Sequence, residues 1–179
     1  MPSRETRVLG IDPGSYHLGV GCVAKQGNSL RLVYAGIIHA PKSKSLYDRL
    51  ELIAEKLRPL IDELRPDEIA IEDIFCSKNA RSAFHLGMAR GVALSVCLGR
   101  GIKIYDYPPT QVKSVVTGHG RADKEQVKKM VRLTLGLRGD IEEGYDATDA
   151  VAVAICHANS LRILERTGDP RLYPDLSRP

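Results

Sequence analysis

The chain has 179 residues, enough for one domain around one core. Hydrophobic residues make up 43% and charged ones 27%, which excludes disorder of the whole chain, and no run of about 18 apolar residues is present to span a membrane. The net charge of +4 permits nucleic-acid binding without requiring it, while an aromatic share of 5% excludes a carpet of base-stacking rings. In chain order, residues 6–12 form a short apolar strand ending in an acid, and Pro13-Gly14-Ser15 is a turn. Residues 17–25 and 30–39 are two further strands joined by a hairpin loop at 26–29. These three form a meander of antiparallel neighbours. Residues 45–65 have helical spacing, with Leu46, Leu50, Ile53, Leu57, Ile61 and Leu64 three or four apart. Ser45 and Asp48 stand in capping-box positions. Pro59 lies inside and is expected to kink or split the helix, because it removes the bond to the Glu55 carbonyl.

Residues 67–72 form a fourth strand, again ending in an acid, and 79–99 form a helix. A fifth strand spans 102–106 and a short helix 108–116. Helices follow over 123–135, capped by Asp123, and over 144–165, which is long and Ala-rich. From residue 167 onward Gly, Pro, Asp and Arg dominate, and a disordered tail is expected. The order predicts an α/β fold: a mixed sheet, three antiparallel meander strands plus two parallel strands, with helices on both faces. Residues 1–166 form a single domain on this reading. No apolar signal segment follows Met1 to Arg7, so a cytoplasmic protein is expected. Cys22, Cys76, Cys97 and Cys156 have no metal or redox spacing and are expected as reduced thiols, mostly filling the core.

Acids stand at element ends. Asp12 ends the first strand, Glu72 the fourth, and Asp146 and Asp149 lie three apart at the start of the last helix, hence on one face. If strands one and four are adjacent and parallel, all four acids converge. They cannot all ionise in a small space without cations. A hard oxygen set without Cys or His suits Mg²⁺ or Mn²⁺, and two such ions about 3.5–4 Å apart serve phosphodiester hydrolysis. The plainer possibility is a set of separate surface acids and helix caps. Glu72 fits that less well, since it ends a buried Ile-Ala-Ile run.

The chain carries Ile11-Asp12-Pro13-Gly14-Ser15, Ala70-Ile71-Glu72, Phe75 and Lys78-Asn79-Ala80. Further on come Gly87-x-Ala89-Arg90-Gly91-Val92-Ala93, Gln111-Val112-Lys113 and Asp146-Ala147-x-Asp149-Ala150. In order and spacing, over about residues 7 to 158, this set resembles the RuvC-type crossover-junction endodeoxyribonucleases, the Holliday junction resolvases. The resemblance implies a ribonuclease H-like fold, a homodimer, Mg²⁺ dependence with two ions per site (Mn²⁺ substituting), and paired symmetrical nicks across a four-way DNA junction. It also implies action beside a branch-migration motor. Asp12, Glu72, Asp146 and Asp149 match the family's catalytic carboxylates. Phe75 matches an aromatic that stacks on an unpaired base, although a core role is open to it. Lys113 and Lys124 match phosphate-contacting positions, and Lys78 and Arg121 add positive charge to the DNA-binding set. Arg81, unexpected for the family, is either a further phosphate contact or a solvated helix residue.

Asp73 stands where the family often has an amide. If the strand is still extended there, Asp73 points to the opposite face from Glu72. His157 lies about 12 Å along the last helix from Asp149, too far to join the same metal centre, and is expected to be structural. Gly87, Gly91 and Ser95 recur every four residues beside a ridge of Phe84, Met88 and Val92, so the helix around Ala83 to Ser95 is expected in the dimer seam, the plainer alternative being that both stripes pack on the chain's own sheet. The strand-end Asp-x-Gly-Ser also resembles the phosphate loop of actin-like ATPases and sugar kinases, but those need two lobes and this chain has length for one. A ribosomal-RNA-processing nuclease of the same fold lacks the Phe75, Lys78-Asn79 and 87–93 block. A junction-binding scaffold without turnover does not need all four acids.

Overall fold

The structure is a computed structural model describing residues 4–73 and 79–167. Phe75, Cys76 and Lys78, and the tail after Thr167, lie outside the described residues. The elements are β1 (Thr6–Asp12), β2 (His17–Gln26), β3 (Ser29–His39), α1 (Leu46–Leu64), β4 (Glu68–Glu72), α2 (Ala80–Leu98), β5 (Lys103–Tyr107), α3 (Pro109–Thr117), α4 (Lys124–Thr134) and α5 (Tyr145–Thr167). The strands form one five-stranded sheet in the order β3-β2-β1-β4-β5. β1 to β3 pair antiparallel, while β4 and β5 run parallel to β1. The expected mixed sheet is therefore present, with strands one and four adjacent.

Alternation along each strand sorts the core into two layers. Leu9, Ile11, Leu18, Val20, Ile69 and Ile71 face α1 and α2. Val8, Val23 and Ala70 face α5, which α3 and α4 cover from outside. The middle of α5 is consequently buried all round, from Ala150 to Ala158. Its Ala-rich surface lies on strand glycines: a Cβ at Gly10 would meet the Ala150 carbonyl oxygen at 2.1 Å, and one at Gly21 would meet Val151 N at 2.5 Å. No larger residue allows that approach.

Several local expectations hold in detail. Ser45 and Asp48 form a capping box on α1, and Asp123 and Gln126 form another on α4. Pro59 does not split α1, which runs unbroken from Leu46 to Leu64. Pro59 and Glu55 are on the exposed side, so the freed Glu55 carbonyl is left to solvent while Ile53, Leu57 and Ile61 stay packed. β4 starts one residue later than expected, at Glu68, and the Asp67 carboxylate before it accepts the Arg7 N–H and an Arg4 N–H. β5 ends one residue later, on the buried Tyr107 opposite Glu72. α5 reaches Thr167, past the expected end at 165. Cys22, Cys97 and Cys156 are free and buried, as core-filling thiols should be.

Candidate active site

β1 and β4 are in register with Ile11 opposite Ile71, so Asp12 and Glu72 end adjacent parallel strands on the α5 side. Asp12 is also opposite Gly19 of β2. A Cβ on Gly19 would lie 2.0 Å from the Asp146 carbonyl oxygen. The missing side chain thus lets the first turn of α5 sit directly on the strand end. Gly144, at φ +94°, makes the turn into the helix, and its carbonyl accepts both the N–H and the hydroxyl of Thr148. Asp146 and Asp149 are brought beside Asp12, with carboxylate oxygens of all three within 4.8 Å of one another. Glu72 joins through a side-chain hydrogen bond with Asp12.

The electrostatics follow from that crowding. Burial pushes the Asp12 carboxyl up to about 8, helped by the charges of Glu72, Asp149 and Asp146. Burial raises Glu72 to about 7, reinforced by Asp149. Asp149 is raised by burial, against the opposing pull of Lys124. Asp12 and Glu72 share their hydrogen bond as one pair, so the site holds a proton near neutral pH when it holds no cation.

Asp12, Glu72 and Asp149 line a cleft of about 290 Å³ together with Lys113, Lys124, Pro109, Val112, Val127 and Ala152. Lys113 comes from α3, and Lys124 opens α4 with its Nζ 3.5 Å from Asp149 Oδ2. Arg81 and Arg121 are exposed and do not line the cleft. The donor set fits a hard divalent cation: clustered carboxylate oxygens, with neither thiol nor imidazole among the clustered groups. Asp12, Asp146 and Asp149 would hold it, with Glu72 beside them.

Three supporting residues escaped the sequence reading. His17 Nδ1 lies 3.3 Å from Asp146 Oδ2. Arg49, buried, donates to the Ser15 carbonyl at 3.0 Å and stacks 4.1 Å over the Tyr16 ring, pinning the turn that follows Asp12. Arg90 pairs with Asp73 and Asp106 behind the sheet. The first two carry no spacing signal, since their partners are brought in by the fold. Arg90 stood in the 87–93 block with no role attached. Asp73 behaves as the extended case requires: its N–H donates to the Tyr107 carbonyl at 2.9 Å, and its carboxylate faces Arg90, on the far side of the sheet from α5. His157 is fully buried, bonded to the Tyr107 hydroxyl at 2.6 Å and to Glu68 Oε2 at 2.6 Å. It ties α5 to β4 and β5, the structural part expected of it.

Comparison with known proteins bears on this arrangement. Residues 8–157 match the family described as crossover junction endodeoxyribonuclease RuvC. The protein of that name from Trichlorobacter lovleyi is 47% identical over 162 residues, covering 90% of each chain. The one from Chloroflexus aggregans is 46% identical, covering 90% of this chain and 98% of its own. The Thermus thermophilus RuvC structure in complex with a Holliday junction substrate superposes with a TM-score of 0.82 at 34% identity, covering 88% of this chain and 96% of that one. The yeast mitochondrial Holliday junction resolvase Ydc2, at 12% identity and a TM-score of 0.67, shares the fold. The matched span contains all four clustered acids and both cleft lysines, and the chain belongs to the crossover junction endodeoxyribonuclease RuvC family.

Proposed function

We propose that this chain is a structure-selective endonuclease that resolves four-way DNA junctions by paired, symmetrical nicks in recombination and repair. The observation that carries this reading is the meeting of Asp12, Glu72, Asp146 and Asp149 at one lysine-flanked cleft, which Asp12, Glu72 and Asp149 line, in a chain of this family. Each acid comes from an element end, so the cluster is held by the sheet and α5 rather than by loops. Asp12, Asp146 and Asp149 bind the metal, and Glu72 completes the set. The site would hold two Mg²⁺ ions, with Mn²⁺ able to substitute, whose chemistry would be to activate a water and to stabilise the leaving oxygen. The chain's own part is to orient those ions, to hold the shared proton of Asp12 and Glu72 until they arrive, and to bring phosphate in. Lys113 and Lys124 offset the negative cluster, which otherwise repels DNA.

Phe75 stacks on a base unpaired near the crossover, and Lys78, Arg81 and Arg121 contact phosphates further out. Residues 1–166 act as one domain. The working form is a homodimer acting beside a branch-migration motor in the cytoplasm. No helix among the described residues is long and apolar enough to cross a membrane. The test is a synthetic four-way junction incubated with the purified protein and Mg²⁺, beside plain duplex of the same sequence. Paired nicks at symmetrical positions are expected on the junction and none on the duplex. Equal cutting of both, or no cutting at any divalent-metal concentration, overturns the reading.

A further inference from the structure

Arg90 lies on α2, across the sheet from the cleft. Its guanidinium pairs with Asp106 and stands 3.9 Å from Asp73 Oδ1. The side chain is 19% exposed, and its Nε is buried without a hydrogen-bond partner among the described residues. Asp73 directly follows Glu72. Its N–H bond to Tyr107 extends the β4–β5 ladder by one residue, so alternation puts Glu72 on the α5 face and Asp73 on the α2 face. Asp106, opposite Ile71, is on the α2 face too. Two carboxylates therefore stand on neighbouring strand ends directly behind the four of the cleft, and Arg90 pairs with both.

We propose that Arg90 is a positioning residue for the carboxylate cluster: by holding Asp73 and Asp106 on the rear face of the sheet, it fixes the strand end that carries Glu72 and keeps Asp73 from competing for the metal. The proposal rests on the metal-nuclease reading above. Asp73 and Asp106 carry like charges on neighbouring strands, and Arg90 is a cation paired with both, so removing it raises their mutual repulsion. Two movements relieve Asp73: peeling the end of β4 from Tyr107, or turning towards a cation in the cleft. Either displaces Glu72, its immediate neighbour. A planar guanidinium reaches two carboxylates at once, and an ammonium does so poorly.

The test compares wild type, Arg90→Gln, Asp73→Asn and the double variant. Mn²⁺ binding to the protein alone is read by electron paramagnetic resonance, junction cleavage is titrated with Mg²⁺, and melting temperature is recorded. Arg90→Gln is expected to weaken Mn²⁺ binding and raise the half-maximal Mg²⁺ concentration by about tenfold, the usual scale for a residue supporting metal ligands. Asp73→Asn alone should leave both near wild type, and in the double variant it should restore both. A merely structural Arg90 would lower the melting temperature in single and double variant alike. Unaltered metal binding in Arg90→Gln, or a double variant no better than the single, overturns the proposal. If Arg90→Gln does not fold, Arg90→Lys with and without Asp73→Asn makes the same comparison. A wild type that binds Mn²⁺ and cuts no junction sinks the functional reading, while the Mn²⁺ comparison still decides Arg90.

Discussion

Asp12, Glu72, Asp146 and Asp149 repel one another wherever no cation sits among them. Asp12→Asn, Glu72→Gln, Asp146→Asn and Asp149→Asn are each expected to abolish junction cleavage in Mg²⁺ while junction binding survives or tightens, since each removes a ligand and a repelling charge together. Gel shift and cleavage assays check this, and near-normal nicking by the Asp12 or Glu72 variant would be incompatible with the metal site. The shared proton sets a pH dependence. The unfolded chain ionises both carboxyls near pH 4, whereas the folded, metal-free protein keeps Asp12 protonated to about 8 and Glu72 to about 7. The folded state then binds more protons, so this pair's contribution to stability falls as pH rises from about 4 to about 8. In metal-free protein, the melting temperature of Asp12→Asn should gain on wild type across that window, and added Mg²⁺ should close the gap. A difference that shrinks with pH would contradict it. Lys113→Ala and Lys124→Ala should each lower cleavage and reduce the log–log salt slope of junction binding by about one unit. Identical slopes would make them ordinary surface lysines.

At the scale of elements, α5 decides whether the acids meet, and it does so through glycine. Gly19→Ala pushes a Cβ against the Asp146 backbone, which must retreat from Asp12. The expected cost is about 1–3 kcal/mol of stability. The expected loss of cleavage is on the order of 100-fold, from misplacing a ligand by about an ångström. Gly139→Ala, where a Cβ meets nothing within 4 Å among the described residues, is the control and should change neither. Thermal unfolding and single-turnover cleavage measure both, and a fully active Gly19→Ala would separate the glycine contact from the chemistry. This contact was not legible beforehand. Periodicity reports which face of an element is apolar, but α5 is buried on every side and so has no face to report. The glycines of β1 and β2 find their partner more than a hundred residues away. The mixed sheet and the acids at element ends were legible, because an acid closing a short apolar strand marks both the strand's end and its chemistry, while the adjacency of strands one and four that brings those acids together stood only as a condition. His17 and Arg49 were not, since neither stands next to its partner in sequence.

For the whole molecule the open question is symmetry. A four-way junction needs two nicks, and the described residues form one carboxylate cluster, so the proposed resolution calls for two chains related by a two-fold axis. Of the two stripes expected on α2, one proves free and the other largely occupied. Met88 and Val92 pack partly against this chain's own core, beside Ala89, Ala93 and Val96. Gly87, Gly91 and Ser95 are exposed, and a Cβ on either glycine would meet nothing within 4 Å among the described residues. Phe84 at 63% exposure and Leu98 at 64% continue the same side three residues beyond each end, giving a smooth strip with an apolar residue at either tip. That strip offers a smooth face of the kind a two-fold contact needs, and α2 also carries Arg90, so the expected seam would share one helix with the contact to the end of β4. Leucine at Gly87 or Gly91 enters open space in the isolated chain and is the better helix former by up to about 1 kcal/mol. The fold should therefore survive, and any defect reports on association. Light scattering is expected to give twice the chain mass for wild type and a shift towards the single-chain mass for Gly87→Leu and Gly91→Leu, with cleavage reduced to one strand or none. A wild type that stays monomeric at micromolar concentration would refute the dimer. A Gly91→Leu variant that stays dimeric and cuts both strands would refute this seam and leave the dimer to another face.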